Sequence, residues 1–227
     1  PCGWRVLKDL LLGRDNRDAS LTIDDEPGNQ MAGYDLRLRA PWRAVPLVLY
    51  TQWIGEDEAG GLPSKFLGLF GIETWFASRF GSVRLRSEYA DTACTFTRRR
   101  PQFDCGYRNG LYPQGYTYRG RIIGHTLDND SRQWSVAALL VQPSGATWSL
   151  TLRNVDANRG GSVPDNAHAL SPRPAELSNV EFQYNRRVMV NGADLGQVQL
   201  GIGFDDARGP IREAADVRGF LQWRQDF

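Results

Sequence analysis

The residues DVRGFLQWRQDF, at positions 216–227, form an alternating stretch that ends on an aromatic side chain. Leu221, Trp223 and Phe227 fall on one face of an extended strand, and polar Gln225 occupies a slot on the same face. A final strand of this kind is typical of bacterial outer-membrane β-barrels, in which the last strand closes the sheet. The stretch therefore predicts a membrane barrel, although Gln225 makes the match imperfect.

Alternation with a period of two recurs upstream and is the main structural signal of the chain. In a soluble sandwich the polar face would meet solvent, whereas in a membrane barrel it would line the lumen, so alternation alone does not separate the two folds. Opposite charges such as Arg84 and Glu88 share the polar faces, as a wet lumen requires. Tryptophans lie near the predicted strand ends, where barrels place their interface aromatics. These features favour the barrel.

The alternating segments give a list of strands and connections. The predicted strands are 4–12, 31–40, 45–54, 65–77, 82–96, 115–124, 133–142, 146–155, 177–190, 195–205 and 216–227. Longer polar connections are predicted at 13–30, 55–64, 97–114, 156–176 and 206–215, and a tight hairpin turn at 191–192. The first strand is the weakest, because Leu7, Leu10 and Leu11 also fit a helical stripe. No run of about 18 apolar residues occurs, so no transmembrane helix is expected.

Charge and basic composition narrow the class of partner. The formal net charge is +1, which argues against a nucleic-acid binder that works by bulk charge. Of the 27 basic residues only Lys8 and Lys65 are lysines. Arginine suits planar recognition of carboxylates, but a GC-rich genome would produce the same bias.

Three cysteines are present, at positions 2, 94 and 105. Cys94 and Cys105 lie in one connection and could pair in an oxidising compartment, which would leave Cys2 over. Free cysteines are the alternative, since sequence alone does not fix pairing.

Several longer motifs occur in a fixed order over about half the chain. They are GRDN at 13–16, YTQWIGEDE at 50–58, LPSK at 62–65, EYADT at 88–92 and GYTYRGRIIGH at 115–125, followed by a polar stretch at 128–131. In these motifs the chain resembles the Wzi family of outer-membrane capsule-assembly proteins. The remainder, from about 133 to 227, matches only as alternating strands.

The resemblance implies an all-β, antiparallel transmembrane β-barrel of which this chain is an incomplete C-terminal portion of about 10–11 strands. The expected organisation is a single barrel domain, 1–227, with N-terminal strands and a signal peptide missing. The implied function is lectin-like and not enzymatic: the barrel binds and anchors capsular or exopolysaccharide at the surface of a Gram-negative cell. The expected surroundings are outer-membrane lipid, with no cofactor, no nucleic acid and a monomeric complete barrel. A porin-like diffusion channel and a barrel hydrolase are the alternatives.

A candidate polysaccharide site lies in the motif at 115–125. Arg119 and Arg121 are two residues apart and are therefore expected on one face of a strand, where two guanidinium groups could clamp uronic-acid carboxylates. Tyr116 and Tyr118 are expected on that face, where they could stack on sugar rings or serve as ordinary interface aromatics. Glu88 is included in this candidate site, and charge pairing of the two arginines with Glu88 across the lumen is their alternative role.

Other charged clusters have weaker interpretations. The carboxylates of Glu56, Asp57 and Glu58 could bind a divalent cation, or could form a solvated acidic loop. The basic run at 98–100 could hold anionic polysaccharide or lipopolysaccharide phosphate, or could simply be solvated. Counting strands back from a periplasmic Phe227 puts the long loop 97–114 on the periplasmic side. Either one strand is miscounted or that loop packs inside the barrel.

The two histidines are expected to be structural or solvated. His125 precedes Asp128 and Ser131, a set that could form a Ser-His-Asp hydrolase site, but no nucleophile elbow accompanies it. A hydrogen-bonding role at a strand end is therefore favoured. His168 lies in a connection rich in Pro and Asn and is expected to be solvated.

Overall fold

The computed structural model describes residues 31–41, 46–59, 62–107, 116–119, 121–161, 168, 170–210 and 213–225, together with Trp4 and Lys8. Within these residues the long strands are β1 (Ala32–Arg39), β2 (Leu47–Ala59), β3 (Leu62–Ser78), β4 (Gly81–Asp91), β7 (Arg132–Val141), β8 (Thr147–Ala157), β9 (Ala175–Val190), β10 (Ala193–Arg208) and β11 (Glu213–Arg224). Two short strands, β5 (Thr117–Tyr118) and β6 (Arg121–Ile122), lie between β4 and β7.

The long strands form one antiparallel sheet in the order β1-β2-β3-β4-β7-β8-β9-β10-β11, so each long strand pairs with the next long strand along the chain. This meander confirms the all-β antiparallel expectation. In the described part of the chain the sheet is open, with β1 and β11 at its two edges. The structure contains no described helix that is long and apolar enough to cross a membrane.

One face of the sheet is apolar because alternate residues of paired strands fall in register. Across β8, β9, β10 and β11, for example, Leu150 pairs with Phe182, Phe182 with Ile202, and Leu200 with Leu221. These large side chains are exposed, as are Leu36, Leu38, Leu49, Phe70, Ile72, Val136, Leu152, Val180, Phe204, Val217 and Trp223. A continuous apolar surface of this extent is typical of a face that lies against another apolar phase. We call it the apolar face.

The opposite, polar face is cross-linked by charged and amide side chains. Glu73 of β3 binds Arg84 of β4 at 2.6 Å. On β11, Arg218 binds both Glu181 and Asp205, each at 2.7 Å. The Glu73–Arg84 and Arg218–Asp205 pairs join neighbouring strands, and the Arg218–Glu181 pair reaches from β11 across β10 to β9. These bonds hold the side chains in place across the polar face.

The two ends of the sheet differ in the length of their connections. At one end β3 and β4 are joined by Arg79 and Phe80, and β9 and β10 by Asn191 and Gly192. Gly192 has φ +82°, as the predicted two-residue hairpin turn requires. At the other end two connections are long, from 92 to 131 and from 158 to 174, and two are short, 60–61 and 209–212. Strand β11 finishes at the short-turn end.

The predicted strand 115–124 is wrong. It is a small hairpin in which Tyr118 of β5 pairs with Arg121 of β6, and Arg119 lies at the turn with φ +51°. Arg119 and Arg121 therefore do not share a strand face. Removing this strand from the count also places the long connection 92–131 at the end opposite the finish of β11, which resolves the strand-counting conflict.

Other predicted boundaries of strands and loops also differ from those in the structure. The glycine- and carboxylate-rich segment 55–64, expected to be a loop, is mostly strand, because Asp57 pairs with Ser64 and Glu58 with Pro63. Strand β4 ends at Asp91 and not at 96. The connection 13–30 lies outside the described residues. So does the predicted strand 4–12, except for Trp4 and Lys8, which adopt helical backbone geometry.

Candidate functional site

The connection between β4 and β7 folds back over the polar face at the long-connection end. Cys94 and Cys105 form a disulfide, the pairing that the sequence left open. Both cysteines are buried in a cluster with Leu67 of β3 and Tyr107. Partly buried apolar residues pack against this cluster, namely Met31, Ile54 and Ile122. The connection is therefore anchored to the wall by a covalent link and an apolar contact.

The first residue of the acidic cluster reinforces this anchor. Glu56 is 7% exposed, and its carboxylate accepts a hydrogen bond from the backbone N–H of Tyr107 at 3.0 Å. This position contradicts a solvated role for Glu56. The side chains of Asp57 and Glu58 lie outside the described residues. Among the described residues, no group of three or more His, Cys, Asp or Glu is placed to hold a metal.

A cavity of about 410 Å³ lies between this anchored connection and the polar face of β1–β3. The residues whose chemistry is relevant to a ligand are Gln52, Asp91, Tyr107, Tyr116, Ile123 and His125, all of which line the cavity. The lining combines aromatic rings with amide, carboxylate and imidazole groups. It therefore offers flat apolar surfaces and hydrogen-bonding groups side by side.

Tyr107 and His125 are neutral hydrogen-bonding groups in this lining. The Tyr107 hydroxyl accepts from the backbone N–H of His125 at 3.1 Å, and His125 Nδ1 accepts from the backbone N–H of Leu127 at 3.2 Å. Burial lowers the pKa of His125, and the carboxylate of Glu88 raises it to a lesser extent. Burial also raises the pKa of Tyr107. With Nδ1 occupied as an acceptor, the neutral His125 ring carries its proton on Nε2.

Only some of the residues that were predicted to bind polysaccharide lie close together in the structure. Tyr116 lines the cavity, while Tyr118 stands 63% exposed on the adjoining β5–β6 hairpin. The Arg119 guanidinium lies over the Tyr118 ring, 5.3 Å from its centroid, and Arg121 is exposed on the paired strand. Glu88 is on the wall, where it binds Arg86 at 3.1 Å and accepts from Tyr50 at 2.9 Å.

Sequence reasoning missed Gln52, Asp91 and Tyr107 as residues of the cavity. Gln52 belongs to the motif YTQWIGEDE and Asp91 to the motif EYADT. Membership in these motifs is the sequence signal that could have identified the two residues. Tyr107 lies outside every motif. It lines the cavity in a connection that is held by the Cys94–Cys105 disulfide and by the bond from its own N–H to Glu56.

Ser131, the serine of the candidate Ser-His-Asp hydrolase site, contacts His168, a histidine outside that candidate set. Ser131 is fully buried, and its Oγ lies 3.1 Å from His168 Nε2. His168 Nδ1 accepts from the backbone N–H groups of Leu170 and Ser171, so Nε2 carries the proton and cannot receive one from Ser131. His168 is therefore buried and structural, which contradicts the expectation that it is solvated.

A comparison with solved structures identifies the fold class of this sheet. It is similar to Wzi of Escherichia coli, an outer-membrane protein involved in group 1 capsule assembly and described as a carbohydrate-binding β-barrel, with a TM-score of 0.70 and 24% sequence identity. The match covers 86% of this chain and 41% of that one. The likeness shows that the sheet has the fold of a β-barrel wall.

The family model for capsule assembly protein Wzi matches residues 1–216, and the chain belongs to that family. The chain is also 40% identical over 74 residues to an uncharacterized 55.8 kDa protein in the cps region of Klebsiella pneumoniae. That match covers 32% of this chain and 14% of the relative. The chain thus spans less than half the length of the relatives it matches.

Proposed function

We propose that this chain forms part of the wall of an outer-membrane β-barrel that binds and holds capsular or exopolysaccharide at the cell surface. The observation that carries the proposal is the cavity on the polar face, with the β5–β6 hairpin beside it. Both lie at the end of the sheet opposite the finish of β11. The matched share of the E. coli structure, 41%, supports a wall that continues in further strands.

The orientation follows from the unequal ends of the sheet. Outer-membrane barrels have short periplasmic turns and long extracellular loops. At the end where β11 finishes, each connection between the described long strands has seven residues or fewer, whereas the two long connections, 92–131 and 158–174, both lie at the other end. The cavity and hairpin therefore face the outside of the cell, where a surface polymer is available.

The side chains suit a sugar polymer in two ways. Tyr116 and Tyr118 offer ring faces against which a pyranose can stack, and the cavity supplies neutral groups that can pair with hydroxyls. Arg119 and Arg121 extend from the hairpin as charged donors for carboxylates. Because Arg119 lies in the turn and Arg121 begins β6, they would contact successive charges of a polymer and not clamp one carboxylate between them.

The test is retention of the cell's own labelled capsular polysaccharide by the purified full-length protein. Arg119→Ala/Arg121→Ala should weaken retention several-fold if the polymer is anionic. The matched control is Arg79→Ala/Arg186→Ala, which removes two exposed arginines at the short-turn end. Equal retention by wild type and the hairpin variant would remove the arginines from the site, and no retention by wild type would remove the proposed function.

A porin-like channel makes a different prediction. The disulfide-anchored connection and the charge network on the polar face both narrow the space that an open pore would need. Planar-bilayer recordings of the full-length protein should therefore show little steady conductance. A large steady current would favour the channel instead.

A further inference from the structure

The connection after β4 crosses from the polar face of the sheet to the apolar face. Cys94 packs beside Leu67 on the polar face. Two residues later, the ring of Phe96 lies on the apolar face, with its centroid 5.2 Å from that of Trp53 and 5.8 Å from that of Phe70. Gly68 permits this approach, because a Cβ there would lie 2.1 Å from the Phe96 ring.

Phe96 completes an aromatic patch on the apolar face. The patch consists of Tyr34, Trp53, Phe66, Phe70 and Phe96, with neighbouring ring centroids between 5.2 and 6.2 Å apart. It lies toward the long-connection end of β1–β3. Aromatic side chains at this level of a barrel sit at the boundary between hydrocarbon and lipid headgroups.

Three consecutive arginines, Arg98, Arg99 and Arg100, follow this ring directly and are all exposed. Their loop is closed by backbone bonds from Arg98 to Thr95 and from Gln102 to Cys94, each 2.8 Å, and by the disulfide at Cys94. Among the described residues, none of the three arginines forms an ion pair with a carboxylate. The loop therefore presents an uncompensated triple positive charge beside the aromatic patch.

An apolar groove of about 430 Å³ runs along the apolar face from the same patch. It shares Phe70 with the patch, and its other apolar walls include Leu36, Leu49, Ile72 and Trp134. A soluble sugar polymer has no chemistry that fills such a groove. An acyl chain does, because its methylene groups pack against the apolar side chains along the groove.

We propose that the Arg98–Arg100 loop, the aromatic patch and the groove form a binding site for a phosphate-bearing lipid of the outer leaflet. The guanidinium groups would bind the phosphates through charge-assisted hydrogen bonds, and an acyl chain would lie in the groove. This inference rests on the proposed function in one respect, that the apolar face meets lipid. It places the lipid on the outer wall and the polysaccharide on the inner one.

The experiment compares binding of diphosphorylated and dephosphorylated lipid A to the detergent-purified full-length protein by native mass spectrometry. The variant is Arg98→Gln/Arg99→Gln/Arg100→Gln. The control, Arg79→Gln/Arg186→Gln/Arg224→Gln, removes the same charge from exposed positions at the short-turn end. Wild type and control should prefer the diphosphorylated lipid by about tenfold or more, and the variant should lose that preference.

Two results would overturn the inference. One is equal binding of the two lipids by wild type. The other is a triple variant that keeps the phosphate preference. Capsular polymer is assayed in parallel, and its binding should be unchanged in the triple variant. Loss of polymer binding there, with lipid binding intact, would assign the loop to the polysaccharide. Failure of wild type to bind polymer would remove the proposed function while leaving the lipid result to stand.

Discussion

Tyr107 donates its backbone N–H to the buried carboxylate of Glu56 over 3.0 Å, and this bond ties the connection after β4 to strand β2. The donor lies next to the disulfide at Cys105, and the acceptor lies on the wall. The cavity exists because the connection is held at this point. The stability of the connection and the shape of the site are therefore linked.

Replacing Glu56 by Ala should loosen the connection without unfolding the sheet. The buried N–H of Tyr107 would lose its acceptor, at a cost of about 1–3 kcal/mol. Hydrogen exchange should show faster exchange at Tyr107 than in wild type. Glu56→Gln keeps an acceptor and is the matched control, so identical exchange in the Ala and Gln variants would contradict the role given to this bond.

Removing the disulfide should have a similar but broader effect. Cys94 and Cys105 are 11 residues apart, and a cross-link of that span contributes about 3 kcal/mol in the chain-entropy model. Cys94→Ser/Cys105→Ser should keep the sheet but be cleaved faster between 92 and 131 in limited proteolysis. Cys2→Ser serves as the control. Unchanged cleavage in the double variant would show that the apolar cluster alone holds the connection.

The two faces of β10 can be told apart by one matched pair of substitutions. Ile202 lies on the apolar face opposite Phe182, and Gln199 lies on the polar face, where it donates to Gln183 at 2.9 Å. An arginine facing lipid near the membrane midplane costs about 2–4 kcal/mol. Ile202→Arg should therefore lower the urea midpoint of the full-length protein in lipid vesicles far more than Gln199→Arg. The reverse order would exchange the inner and outer faces.

His125 should make the site less stable in mild acid. Burial lowers the pKa of His125 below its ordinary value of 6.5. In mild acid the unfolded chain therefore binds a proton at His125 that the folded protein does not bind. The contribution of His125 is constant above about pH 6.5, and stability falls as the pH drops from there toward the folded pKa. Thermal midpoints between pH 8 and pH 5 should show this slope. His125→Asn keeps an acceptor for Leu127 N–H, and its slope should be shallower; an equal slope would assign the effect to other groups.

Local patterns in the sequence predict most of the sheet, because the alternation of side chains is a property of each strand. The predicted strand 133–142 differs from β7 by one residue at each end, and 177–190 ends where β9 ends. The alternation predicts one strand at 115–124, whereas the structure has a hairpin there, because Arg119 adopts a positive φ that arginine seldom takes and that the pattern does not reveal.

The arrangement of the site depends on contacts between distant residues, which no local pattern encodes. Motif composition found Tyr116 and Arg119, but the position of Tyr107 depends on Glu56, 51 residues away. The crossing of Phe96 to the apolar face depends on the open space at Gly68. The burial of His168 likewise depends on Ser131, which lies in a different connection.

The most direct test of the proposed function is the affinity of the full-length protein for its own capsular polysaccharide, measured by isothermal titration calorimetry. Tyr116 lines the cavity and its ring is the proposed stacking surface. Wild type should bind the polymer saturably, and Tyr116→Ala should bind about tenfold more weakly, a loss of about 1.4 kcal/mol, because the sugar ring would lose its apolar contact with the Tyr116 ring. Tyr34→Ala, on the apolar face, should bind as wild type does. Saturable binding that is equally strong in wild type and Tyr116→Ala, or no saturable binding by wild type, would contradict a polysaccharide site in this cavity.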